Sequence, residues 1–219
     1  GTGNATRKTR TNASQSISCV LPTKDDKLLA TSGSNDGYVK FWDMRRTAKV
    51  PDPVHTVSSR HCRKPEYRKL STIKRTPGAV HIDFSPDGSK LLVSYHSSEL
   101  VVYNWLQCKQ DSDYEHEDCV HRFSGNDMYP YACSSFYVQS CFSPDGNFIL
   151  SGSGDGNAYI WDVYQNENND RATTPIAALT GHTKEVSSVQ WDPQNFNSIG
   201  TVSDDLSVRF WDLDFESNR

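Results

Sequence analysis

Thr31-Ser-Gly-Ser-Asn-Asp-Gly-Tyr-Val-Lys-Phe-Trp-Asp43 decides the fold, because the chain repeats it. Ser151-Gly-Ser-Gly-Asp-Gly-Asn-Ala-Tyr-Ile-Trp-Asp162 and Thr201-Val-Ser-Asp-Asp-Leu-Ser-Val-Arg-Phe-Trp-Asp212 keep the same order. In each copy an Asp stands six residues before a Trp: Asp36 and Trp42, Asp155 and Trp161, Asp205 and Trp211. Between the two lies an alternating run that fits a strand with one face buried. A fourth, degenerate copy runs from Ser94 to Asn104, with Tyr103 at the Trp position and Ser97 at that of the turn Asp.

Upstream of these copies lie matching strand-turn units. Ile82-Asp-Phe-Ser-Pro-Asp-Gly-Ser-Lys-Leu-Leu92 parallels Ser140-Cys-Phe-Ser-Pro-Asp-Gly-Asn-Phe-Ile-Leu150. Ser-Pro-Asp-Gly is a turn with a mechanism: Pro presets φ, and Asp-Gly tolerates positive φ. The reading is strand a, turn, strand b, turn, strand c, four times over. Strand c is placed at Tyr38–Trp42, Leu100–Tyr103, Asn157–Trp161 and Val208–Trp211. Strand a is placed at Ile17–Leu21, Val80–Phe84, Tyr137–Phe142 and Val186–Trp191. Outer d strands fall at Val54–Val57, Val120–Phe123 and Ile176–Leu179. No segment shows sustained helical periodicity.

This pattern resembles WD repeats, whose four-stranded blades stack radially into a propeller. The expected fold is all-β, with about four blades near 14–58, 78–123, 135–180 and 185–215. Residues 1–13 read as a polar edge or linker. The c-strand positions are 61, 58 and 50 residues apart (42 to 103, 103 to 161, 161 to 211), against a usual period of roughly 40–45. The excess is assigned to long loops near 45–77 and 106–134, one carrying the basic run Arg60–Lys69, the other the acidic run Asp111–Asp118. Four blades are fewer than the ring of seven typical of WD proteins. The stretch therefore reads as the C-terminal part of such a ring, with apolar blade faces at its ends.

Composition narrows the function. A net charge of −4 gives no overall attraction to nucleic acid or to an anionic membrane, and no apolar run is long enough to span a bilayer. Six scattered cysteines without a C-x-x-C pair, and no signal peptide, point to reduced thiols. His182, Asp205 and Ser203 contain the residue types of a catalytic triad, but the repeat already accounts for His182 and Asp205, and no nucleophile elbow surrounds any serine. His116-x-x-Cys119-x-His121 lacks the second ligand pair of a structural zinc site. The Gly-rich run 151–156 lacks the Lys-Ser/Thr of a phosphate loop. No catalysis, cofactor or metal is expected.

The blade positions have a structural reading. Gly181-His182 with Asp205 and Trp211 resembles the WD network in which a His, an Asp, a Ser or Thr and a Trp link strands inside one blade. Asp155 with Trp161, and Asp36 with Trp42, are their counterparts. A different motif, Trp42-Asp43-Met44-Arg45, places an Arg just beyond strand c. With Leu28–Ser32, Asp36 and Val39–Phe41 it looks like the box that WD-repeat substrate receptors present to the adaptor of cullin-4 ubiquitin ligases.

Three stretches sharpen the resemblance. Ser135–Trp161, Leu179–Trp191 and Thr201–Trp211 follow one another in the order and spacing of the denticleless family, which this sequence resembles from about Ile17 to Leu213. The resemblance implies a substrate receptor of a cullin-4 RING ubiquitin ligase, held by the damaged-DNA-binding adaptor protein through Asp43 and Arg45. It implies substrates presented on the sliding clamp PCNA, and a nuclear location with the cytoplasm as a second compartment. The other reading is a WD scaffold for multiprotein assembly with no ubiquitin role.

Overall fold

The computed structural model describes residues 16–46, 52–58, 77–110, 120–165 and 173–214. The 1–13 edge, the basic run, the acidic run and most of the 116–121 His/Cys run lie outside them.

Four antiparallel sheets follow in chain order. The first is β1(Ile17–Pro22), β2(Leu28–Gly33), β3(Tyr38–Asp43) and β4(His55–Ser58); the second is β5(Ala79–Phe84), β6(Lys90–Tyr95), β7(Glu99–Asn104) and β8(Val120–Ser124). The third is β9(Ser140–Phe142), β10(Phe148–Gly152), β11(Asn157–Asp162) and β12(Ala177–Thr180); the fourth is β13(Val186–Trp191), β14(Ser198–Ser203) and β15(Val208–Asp212). Every sheet is a meander in sequence order. The innermost strands β1, β5, β9 and β13 contact one another in turn. The molecule is therefore part of a β-propeller, with the a strands nearest its axis.

Register fixes the repeat. Trp42 pairs with Leu29, Tyr103 with Leu91, Trp161 with Ile149 and Trp211 with Ile199, so all four occupy one blade position. The a–b turns also share one design. Ser85 and Ser143 each donate a hydroxyl hydrogen bond to an aspartate two residues on, and Gly88 and Gly146 close the turns at φ of 71° and 74°. In the first blade Thr23 bonds Asp25 in the same way, and Asp26, at φ 53°, takes the glycine position.

Adjacent sheets bury the faces they turn toward each other. Val39 and Phe41 of the first pack with Ile82, Leu91 and Tyr103 of the second. Val102 and Phe123 of the second meet Ile149 and Trp161 of the third, and Leu150 and Ile160 of the third meet Val189 and Trp191 of the fourth. Phe210, at the position of the fully buried Phe41, is 87% exposed.

Two sequence expectations need correction. The segment from 106 onward is not a plain loop, because β7 runs directly into a short helix, α1(Trp105–Gln110). Asn104 caps it, accepting the Gln107 N–H at 3.2 Å. Six residues are too few to show a helical period, and this is why the pattern missed it. The inner strand of the third blade starts at Ser140, not Tyr137. The Gln139 N–H turns away to the Ser187 carbonyl of the next blade, at 2.9 Å, and only its carbonyl stays with its own sheet, accepting the Gly152 N–H at 3.1 Å.

Candidate functional site

Antiparallel meanders place the a–b and c–d turns on one rim and the b–c and d–a connections on the other. Asp43 and Arg45 belong to a c–d turn. His182, Asp205 and Asp36 belong to the opposite rim. The structure therefore separates the residues singled out in the sequence into two groups at opposite ends of the strands.

On the first rim, β3 ends at Asp43 and the chain turns at once. The Asp43 carboxylate accepts the Arg45 backbone N–H at 3.0 Å, Nε–H at 2.9 Å and an Nη2–H at 2.8 Å. This is a two-pronged pairing that holds the guanidinium plane fixed to its own turn. Arg45's hydrogen bonds keep the Asp43 carboxyl well below the usual carboxylate range, so the pair stays charged throughout the physiological range. The Asp43 side chain is only 12% exposed whereas that of Arg45 is 76% exposed. Of the five N–H donors of a guanidinium, those on Nη1 are not engaged by Asp43. The arrangement offers a pre-oriented planar cation to a carboxylate or carbonyl on another molecule.

On the other rim, the fourth blade carries a continuous relay. Trp211 Nε1–H donates to the Thr201 hydroxyl at 2.8 Å, and that hydroxyl lies 2.8 Å from His182 Nε2. His182 Nδ1 lies 2.9 Å from the Asp205 carboxylate, which also accepts the Thr183 and Ser207 backbone N–H groups. The relay is consistent with a proton on Nδ1. Ser207's hydroxyl, above all, holds the Asp205 carboxyl well below its ordinary range. His, Asp and a hydroxyl thus share hydrogen-bond geometry with a hydrolase, but Thr201 is fully buried and already accepts a bond from Trp211. Ser203 donates to the Lys184 carbonyl instead. The chemistry available is structural. Thr201→Val, which keeps shape and removes the hydroxyl, is expected to cost about 1–3 kcal/mol by leaving Trp211 Nε1 and His182 Nε2 without this partner. A denaturation midpoint unchanged from wild type would count against a structural relay.

The other two tryptophan blades depart from this network. In the first, Trp42 Nε1–H donates to Thr31 at 2.8 Å, while Asp36 pairs with Lys40 at 2.6 Å. In the third, Trp161 Nε1–H reaches the Ser124 carbonyl of the second blade at 3.3 Å, and Asp155 takes the Tyr159 hydroxyl and Asn157 amide. Asp155 and Trp161 are therefore not joined by a histidine relay. The physical reason is Tyr131, which enters from the d–a connection as His182 does in the next blade. Its hydroxyl lies 3.3 Å from Ser151, and its ring meets Trp161 edge-on at 5.1 Å. The second blade is completed by Tyr95 and Tyr103, whose hydroxyls lie 2.9 Å apart.

A cleft of about 580 Å³ opens along the inner strands, lined in part by Lys24, His81, Asp83, Gln139 and Gln190. Asp83 is used internally, accepting the Phe142 N–H of the neighbouring blade at 2.9 Å. Burial raises its carboxyl and lowers the His81 imidazole to about 4. Among the described residues no group of His, Cys, Asp and Glu side chains is arranged to hold a metal, and no helix is long and apolar enough to cross a membrane. Among the described residues Cys19, Cys108, Cys133 and Cys141 form no disulfide, and burial pushes the Cys133 and Cys141 thiols up to about 12.

Comparison with known proteins agrees with this architecture. The model of the WD domain, G-beta repeat, matches residues 5–43, 117–162 and 173–212, more than half of the chain. The matched ranges omit β5 to β7, where Tyr103 replaces the tryptophan. The chain is 34% identical over 201 residues to the Denticleless protein homolog of Gallus gallus, covering 91% of this chain and 24% of the relative. It is 33% identical over 199 residues to Protein lethal(2)denticleless of Drosophila melanogaster, covering 87% and 22%. A WD repeat-containing protein WDS homolog of Arabidopsis thaliana is 35% identical over 166 residues, covering 63% and 30%. The chain thus spans about a quarter of the length of the denticleless relatives. A chain in the crystal structure of the mitotic checkpoint complex superposes with a TM-score of 0.61 at 17% identity, covering 92% of this chain and 49% of that one; at that identity the likeness concerns the fold alone.

Proposed function

Because the chain belongs to the WD-repeat family, and within it to the denticleless proteins, we propose that it is the propeller part of a substrate receptor of a cullin-4 RING ubiquitin ligase. The observation that carries the reading is Arg45, anchored on Asp43 yet largely exposed on the a–b/c–d rim. A fixed, solvated guanidinium suits docking to a carboxylate-bearing or carbonyl-bearing surface, and in this reading that surface is the damaged-DNA-binding adaptor. Substrates presented on PCNA would be recruited for ubiquitination by loops away from that rim, in the nucleus and secondarily in the cytoplasm. In this reading the propeller binds rather than catalyses: the His182–Asp205–Thr201 arrangement is sealed inside a blade.

The experiment is affinity purification of the tagged protein from S-phase cells, followed by mass spectrometry. Recovery of the adaptor and cullin-4 in stoichiometric amounts is the expected result. Stable recovery of a different assembly without either would favour a WD scaffold outside the ubiquitin system.

A further inference from the structure

The insertion α1 lies where no repeat signal points, and its contacts converge on the turn that carries Arg45. Trp105 is 3% exposed and stacks on Phe41 of β3, with ring centroids 4.0 Å apart and 17° between planes. It meets His55 of β4 edge-on at 5.9 Å. β3 and β4 are the strands that flank the Asp43–Arg46 turn. One turn along α1, Lys109 Nζ reaches the Asp25 carboxylate of the first blade at 2.8 Å. Asp25 accepts the Thr23 hydroxyl and the Lys27 N–H, and the Lys27 carbonyl accepts the Met44 N–H at 3.2 Å. A helix donated by the second blade thus grips both strands below Arg45 and the neighbouring turn, whose Lys27 carbonyl holds Met44 beside it.

We infer that α1 is a positioning element for the Arg45 contact, with Lys109 and Asp25 as the positioning pair that sets the orientation of the Asp43–Arg45 fork. The inference rests on the adaptor reading above and adds to it a second blade and two residues outside the repeat motif. Lys109 and Asp25 are each about one-third exposed, and exposed pairs of this kind contribute little to folding. They can nonetheless matter to a contact that tolerates little misplacement of a planar group. Trp105 is unsuited as a probe, because its removal opens a cavity between two blades.

The test uses the full natural protein and the purified adaptor, with affinity measured by calorimetry and folding by thermal melting. Lys109→Met is expected to weaken adaptor binding about three- to ten-fold, the range of coupling between neighbouring groups, with an unchanged melt. Lys109→Arg, which keeps the charge and reach, is expected to restore most of it. In an Arg45→Ala background, Lys109→Met is expected to have no further effect, since there is no fork left to orient. Wild-type affinity in Lys109→Met, with binding lost in Arg45→Ala, overturns the role of α1 and leaves the adaptor reading standing. Wild-type affinity in both variants overturns the adaptor site and this inference with it. Additive losses in the double variant overturn positioning in favour of an independent contact.

Discussion

Trp161→Ala is expected to destabilise the protein by about 3–5 kcal/mol, the range for deleting a fully buried tryptophan. Trp161 has no exposed surface, and it lies between the second and third blades against Ile149, Tyr131 and Tyr159. Its loss also leaves the Ser124 carbonyl without the indole N–H. Total stabilities of about 5–15 kcal/mol make such a loss a large share of the whole. Trp42 holds the same register position but is partly exposed, with its ring on the side of the first sheet away from the second. Trp42→Ala is therefore expected to cost clearly less. Urea denaturation of the two variants separates the explanations. Equal losses would mean that the repeat position, and not burial between blades, sets the cost.

The contrast shows what the sequence made legible. A fixed Asp-to-Trp spacing marks strand c, and Ser-Pro-Asp-Gly marks the turn between a and b, because both depend on local geometry: a hairpin period and a left-handed glycine. Those signals are enough to imply four sheets and the all-β class. They do not say what each tryptophan touches, because that depends on the neighbouring blade. Tyr131 is the clearest case. It sits among residues that read as loop, six positions beyond Gly125, and only the folded d–a connection brings its ring beside Trp161. α1 was hidden for a different reason. Asn104 followed by Trp-Leu-Gln-Cys-Lys-Gln contains a helix cap and good helix formers, but a single turn and a half cannot establish a period.

The candidate site was legible only as a motif. Trp-Asp-x-Arg fixes that an arginine follows strand c by two residues, and the turn then dictates that Asp43 can reach it. The supporting residues Lys109 and Asp25 are 84 positions apart and belong to different repeats. No spacing rule connects them. The His182 relay was closer to the surface of the sequence, since Gly-His and the Asp-to-Trp offset recur in WD repeats, yet its absence from the third blade follows from a tyrosine that the repeat does not specify.

Arg45→Ala is expected to weaken adaptor binding about thirty-fold or more, the loss typical of truncating an arginine at the desolvated centre of an interface. The fold should survive, because the side chain is largely exposed and its carboxylate partner Asp43 lies on the same turn. The expectation depends on where in the interface the guanidinium sits. At a rim, solvent would screen it, and the change would appear mainly in association rate and salt dependence. At the centre, the loss appears in dissociation rate and persists at high salt. Asp43 argues for the centre: the carboxylate holds the cation in one orientation before the partner arrives, so less freedom is lost on binding. Arg45→Lys is expected to rescue only in part, since an ammonium cannot pair two-pronged with Asp43 and face outward with the same plane. Surface plasmon resonance across a salt series, with a thermal melt alongside, reads all three outcomes. A well-folded Arg45→Ala protein that binds the adaptor with wild-type kinetics would remove this turn from the interface. The ligase reading would then rest on likeness to the denticleless proteins alone.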